Sequence, residues 1–96
     1  MKIKQTYDFY SSHRTGTLNN ITIDEVTDAL GFTAFVSHSE DGKSTVEWQF
    51  EAGSDAIPCS IWDYKGSLEF NQLSVWMPSE VGIRLFGSKY SSEKQY

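Results

Sequence analysis

Residues 57–66 read I-P-C-S-I-W-D-Y-K-G, which places a cysteine, two aromatic rings and an acid–base pair within ten positions. Cys59 would act as a nucleophile only as a thiolate, beside an activating base or at a helix N-terminus. Alternation along this stretch instead puts it with Ile57 and Ile61 on one strand face, which predicts a buried, inert thiol. Asp63 and Lys65 flank Tyr64 where the strand ends, so the expectation is a turn-capping carboxylate and a snorkelling ammonium. His13 and His38 have metal-ligand spacing neither to each other nor to Cys59. Glu47 and Glu51 share a strand face, but four strand residues separate them by roughly 13 Å. Paired glycosidase carboxylates sit about 5–9.5 Å apart, so a solvated acidic strand is the better reading. No phosphate-cradling glycine loop, dinucleotide fingerprint or nucleophile elbow occurs. These residues predict a non-enzymatic protein without cofactor or metal.

The elements that would position them are legible in part. "ITIDEVTDALGF" has Thr22 as a helix N-cap, Glu25 three residues on to complete a capping box, and Gly31 as the stop. Ile23, Val26 and Leu30 then share one helix face. "STVEWQFEA" alternates, with Val46, Trp48, Phe50 and Ala52 on one side and Thr45, Glu47, Gln49 and Glu51 on the other. Asp41-Gly42 signals the turn before it and "GSDA" the turn after it. Residues 57–62 and "QLSVWMP" are two further strands, and "MPSEVGIRLFG" a second short helix ending at Gly87. "MKIKQTYDFY" alternates weakly, with Ile3, Tyr7 and Phe9 on one side, as a strand would, and "FTAFV" reads as a short strand. "SSHRTGTLNN" reads as a loop and "SKYSSEKQY" as a frayed tail.

The expected fold is therefore α+β: a three- to four-stranded, mostly antiparallel sheet with two short helices packed on one face. It would occupy residues 1–87 as a single domain, with 88–96 as a flexible tail. The layer facing the helices would be Val46, Trp48, Phe50, Ile57, Cys59, Ile61, Leu73, Val75 and Met77, met by Ile23, Val26, Leu30, Val81 and Leu85.

The opposite face collects Glu47, Gln49, Glu51, Ser60, Trp62, Tyr64, Ser74 and Trp76. A plain solvent face has no need of two tryptophans and a tyrosine. Three explanations stay open. The N-terminal segment with Tyr7, Phe9 and Tyr10 covers them, a second copy does, or they bind another molecule. For the last, the candidate partner-binding residues are Trp62, Tyr64, Trp76, Glu47 and Glu51, since aromatic rings ringed by polar groups are typical of contact hot spots.

With 96 residues, 15% of them aromatic, and a net charge of -5, the chain suits one small globular domain with some rings near its surface. The acidic balance argues against direct nucleic-acid binding, which needs clustered cations. One cysteine excludes an intramolecular disulfide, and no apolar run approaches the roughly 20 residues of a membrane span. The N-terminus lacks the apolar core of a signal peptide. The expectation is a cytoplasmic monomer or homodimer with no membrane contact.

"EWQF" at 47–50, "PCSIWDYKGS" at 58–67 and "SEVGIRLFG" at 79–87, preceded by "ALGF" at 29–32, together resemble a set of small bacteriophage-encoded proteins of unassigned function. The resemblance spans about residues 21–87 and brings no catalytic or binding residue with it. It implies a class of function: binding and blocking a host or phage protein, inhibitors of host defence such as anti-CRISPR proteins being one large group. The alternative it implies is sequestration of a nucleotide in an oligomer. Trp62 or Trp76 would then stack on the base, and Lys65, Lys43 or Arg84 would meet phosphate.

Overall fold

The computed structural model describes residues 1–6, 14–38, 44–63 and 71–93. In chain order the elements are β1 (Ile3–Gln5), β2 (Gly16–Asn19), α1 (Ile23–Leu30), β3 (Phe35–His38), β4 (Ser44–Ala52), β5 (Ile57–Trp62), β6 (Gln72–Trp76), α2 (Ser79–Phe86), a 3₁₀ turn (Gly87–Lys89) and β7 (Tyr90–Ser92). Among the described residues seven strands form one sheet in the order β1-β4-β5-β6-β2-β7, with β3 also paired to β4. Every pairing is antiparallel.

The expected sheet of three or four strands is thus too small. The central β4, β5 and β6 were visible because each carries several apolar residues at period two. The other four strands are three or four residues long; β1 and β3 fall in stretches read as a weak alternation and a short strand, while β2 and β7 are too short for a period to show. β2 lies in the stretch read as a loop. Only Leu18 in it is apolar, and Gly16 and Asn19 are poor strand formers. It becomes a strand because β6 and β7 hydrogen-bond to its two sides, which buries Leu18 completely.

β7 lies in the stretch read as a flexible tail. Tyr90 is buried at 8% exposure and pairs with Leu18. Its ring occupies space that two glycines leave free. A Cβ on Gly82 would sit 2.4 Å from Tyr90 Cδ2, and one on Gly16 would sit 3.0 Å from Tyr90 Cε2 and 2.6 Å from the Ser91 carbonyl oxygen. Two ion pairs add to this: Arg14 with Glu93 at 2.7 Å and Lys89 with Glu25 at 2.6 Å.

α1 follows its sequence signals. The Thr22 hydroxyl accepts from the Glu25 backbone N–H at 3.2 Å, the Glu25 carboxylate accepts from the Thr22 N–H, and Gly31 closes the helix at φ 86°. Val26 and Leu30 are buried. α2 starts after Pro78 and buries Val81, Gly82 and Phe86. Both helices join one apolar cluster with Val46, Trp48, Phe50, Cys59, Ile61, Leu73 and Val75 from the sheet, so both cover the same face. Burying a large apolar side chain contributes about 1.5–3 kcal/mol, and this single layer supplies the core. Leu18, Ile21, Ala52, Met77 and Tyr90 also belong to it. Among the described residues no helix is long and apolar enough to cross a membrane.

Candidate functional site

The strand register shows which side chains share the face away from the helices. Directly paired residues lie on the same side of a sheet. One row therefore runs Phe35, Glu47, Trp62, Ser74, Thr17, Ser91 across five strand pairings. The next runs Gln49, Ser60, Trp76. A third places Lys4, Glu51 and Pro58 side by side.

Trp62 and Trp76 are half-buried. Because Ser60 pairs with Trp76 and Ser74 with Trp62, the two indoles are diagonal neighbours, within reach of each other for rings of this size. The serines between them are 0% and 2% exposed. The Ser60 hydroxyl has no hydrogen-bond partner, an uncompensated buried polar group of the kind that costs about 1–3 kcal/mol.

Glu47 stands in the aromatic row, directly opposite Trp62 on one side and Phe35 on the other. Its Oε1 accepts a short hydrogen bond from the Gln49 side-chain amide. Glu51 is set apart. It lies one row from the Gln49–Ser60–Trp76 row and two from Glu47 along β4, and faces Lys4 across the β1 pairing. The structure thus brings together Trp62, Trp76 and Glu47 of the expected set and places Glu51 at its margin. Tyr64 lies outside the described residues, as do Tyr7, Phe9, Tyr10, His13, Lys43 and Lys65.

The residue that sequence reasoning missed is Phe35. It is 64% exposed, an unusual state for a phenylalanine. The short strand in "FTAFV" and the Asp41-Gly42 turn signal point to a hairpin, but the place of Phe35 beside Glu47 follows only from the β3–β4 register. Phe35 also lines a cavity of about 270 Å³ together with Gln5, Thr6, Phe32, Glu47 and Gln49. The cavity arises because β1 and β3 share one edge of β4. β1 pairs with residues 50–52 and β3 with 44–47, while β5 occupies the other edge. The Thr6 N–H still donates to the Gln49 carbonyl at 3.0 Å, and the notch opens between that bond and Phe35.

The remaining chemistry is structural. Cys59 is fully buried, its thiol donates to the Ile57 carbonyl at 3.4 Å, and burial pushes its pKa from 9.0 up to about 12. At neutral pH it is a thiol and no nucleophile. Among the described residues no group of three His, Cys, Asp or Glu side chains could hold a metal ion. Arg84 lines a separate cleft of about 400 Å³ with Met1, Lys2, Asp55, Glu80 and Val81. It belongs to α2, on the face opposite Trp62 and Trp76.

Comparison of the chain with known protein families, with characterised proteins and with solved structures returned no match.

Proposed function

We propose that this chain is a non-enzymatic binding protein that engages another protein through the acidic-aromatic face, with Trp62 and Trp76 at its centre, Glu47 beside them, and Tyr64 and Glu51 as flanking contacts. The observation that carries this reading is the pair of diagonal, half-buried indoles on the sheet face without helices. Indoles held on one side by neighbours and left partly open on the other can add apolar contact area at little entropic cost. The resemblance to phage-encoded proteins makes a host protein, a defence component among them, the partner class to try first, with steric block as the mode of action. On this reading the protein works in the cytoplasm as a monomer or homodimer. Its charge of -5 favours a partner with a basic surface over nucleic acid itself.

The nucleotide-sequestering reading receives less support. It needs a cation beside a stacking ring; among the described residues its candidate, Arg84, lies across the sheet from both tryptophans, and Lys43 and Lys65 lie outside the described residues.

The test is the double variant Trp62→Ala, Trp76→Ala as bait beside the wild type in a bacterial lysate. The expected result is a variant that keeps its circular dichroism and cooperative melt and loses a partner the wild type retains. A variant that unfolds would show that the rings are core, and a folded variant that keeps the partner would move the contact elsewhere.

A further inference from the structure

The notch between β1 and β3 deepens this reading and rests on it. Its walls are two phenylalanine rings, Phe32 and Phe35, and its polar lining is Glu47, Gln49, Gln5 and Thr6. Among the described residues no lysine or arginine lines it and no cation pairs with Glu47. Gln49 occupies one carboxylate oxygen, Oε1. A carboxylate and two aromatic rings around one small cavity favour a cation, which gains both charge pairing and attraction to the ring faces.

The cavity also adjoins an open strand edge. Among the described residues β3 pairs only with β4. The Gln49 carbonyl points toward the β1 and β3 side of β4 and the Val46 carbonyl toward β5. Alternation then aims the backbone of Glu47 at β3, pairs it with Phe35, and turns the N–H and C=O of Val36 outward. Val36 is 50% exposed and Phe35 64% exposed. Sheet edges in soluble proteins are normally blunted by charge, proline or cover, and this one carries two apolar side chains, one on each face.

We propose that β3 receives an extended polypeptide segment from the partner, added as a further strand, and that the adjoining cavity takes a lysine or arginine side chain of that segment between Phe32, Phe35 and Glu47. Main-chain hydrogen bonds along the edge provide attachment, and the cavity provides selectivity, as in other strand-addition complexes. A second copy of this chain fits less well. A four-residue strand pair buries far less than the roughly 1,200 Å² of a stable interface, and two chains of charge -5 repel one another.

The experiment uses the full chain, ¹⁵N-labelled, titrated with the blocked hexapeptide acetyl-Thr-Val-Arg-Val-Thr-Val-amide. The controls are the same peptide with norleucine for arginine, and spermidine. The expected result is a set of shifts in the backbone amides of residues 35–38 and in the Gln49 side-chain amide. The arginine peptide should bind at least tenfold more tightly than the norleucine peptide. Glu47→Gln should remove that difference while leaving norleucine-peptide affinity unchanged. Equal affinity for the two peptides, no binding of either, or no effect of Glu47→Gln would overturn the proposal. Spermidine acting at the same signals as tightly as the peptide would assign the cavity to a polyamine. A dimer that Phe35→Glu dissociates would assign the edge to a second copy. The peptide is placed on β3, on the other side of Glu47 from Trp62, so its failure leaves the tryptophan-face reading standing. Loss of that reading in the bait experiment likewise leaves the peptide result intact.

Discussion

Trp48 and Trp62 lie on neighbouring strands, one residue out of register, and the sheet treats them differently. Trp48 pairs with Ile61, faces the helices and is fully buried, its indole N–H without a partner. Trp62, the residue after Ile61, faces the other way and stays half-buried beside Glu47. The same side chain supplies packing on one face and a candidate contact on the other. The covered face is filled to the point that even a tryptophan donor goes unpaired. The other face has two bulky rings over two small serines and an acidic neighbour, which is no way to build a core and a reasonable way to present a surface.

The strongest means of breaking this comparison is truncation on each face. Trp48→Ala should lose about 3–5 kcal/mol in urea unfolding, the usual cost of emptying a large core site. Trp48→Phe should lose much less, because it removes an unpaired buried donor along with some bulk. Trp62→Ala should lose about 1–2 kcal/mol, in line with partial burial. Equal losses from Trp48→Ala and Trp62→Ala would mean that both faces are core.

Next in size is the seat of Tyr90. Gly82→Ala would set a methyl 2.4 Å from the tyrosine ring, and overpacking of this kind costs about 1–3 kcal/mol. In a Tyr90→Ala background the same change should instead stabilise, by up to about 1 kcal/mol, because alanine is the better helix former. A loss in both backgrounds would show that something other than Tyr90 requires the glycine.

Cys59 tests the covered face by pH. Its thiol ionises near 12 in the fold against 9.0 unperturbed, so its contribution is complete below about pH 9. It fades as pH rises toward 12, because only the unfolded chain releases the proton in that window. A thiol reagent at pH 8 should react no faster than the protein unfolds. Rapid labelling of the native protein would place Cys59 at the surface.

The smallest effect concerns the end of the chain. Lys89, by hydrogen bonding and charge, holds the Glu25 carboxyl below its usual 4.5. Lys89→Met should raise it toward 4.5, as followed by NMR of the side-chain carboxyl. A depressed carboxyl stabilises above its unfolded value and loses that contribution as pH falls through the folded one. Both partners are well exposed, so the melting midpoint should scarcely change. An unchanged Glu25 titration would show that the pair does not persist in solution.

How much was readable depended on the range of the interaction. The capping box at Thr22 and Glu25, the glycine stop at Gly31, the alternation of Val46 to Ala52 and the burial of Cys59 all follow from neighbours within a few residues, and all are present in the fold. The sheet was underestimated because its edges have no such neighbours. Leu18 is the one buried apolar side chain of β2 and Tyr90 that of β7, and one residue has no period.

Local chemistry in the chain thus determined the two helices, the three central strands and which side of β4 faces inward. Tertiary structure alone decided that residues 16–19 and 90–92 are strands, because their hydrogen-bond partners at 72–75 and along each other are distant in sequence. It also decided that Phe35 stands beside Glu47, and that a cavity opens where β1 gives way to β3. Register between strands is set by backbone groups that must all find partners at once, a condition that only the assembled sheet imposes.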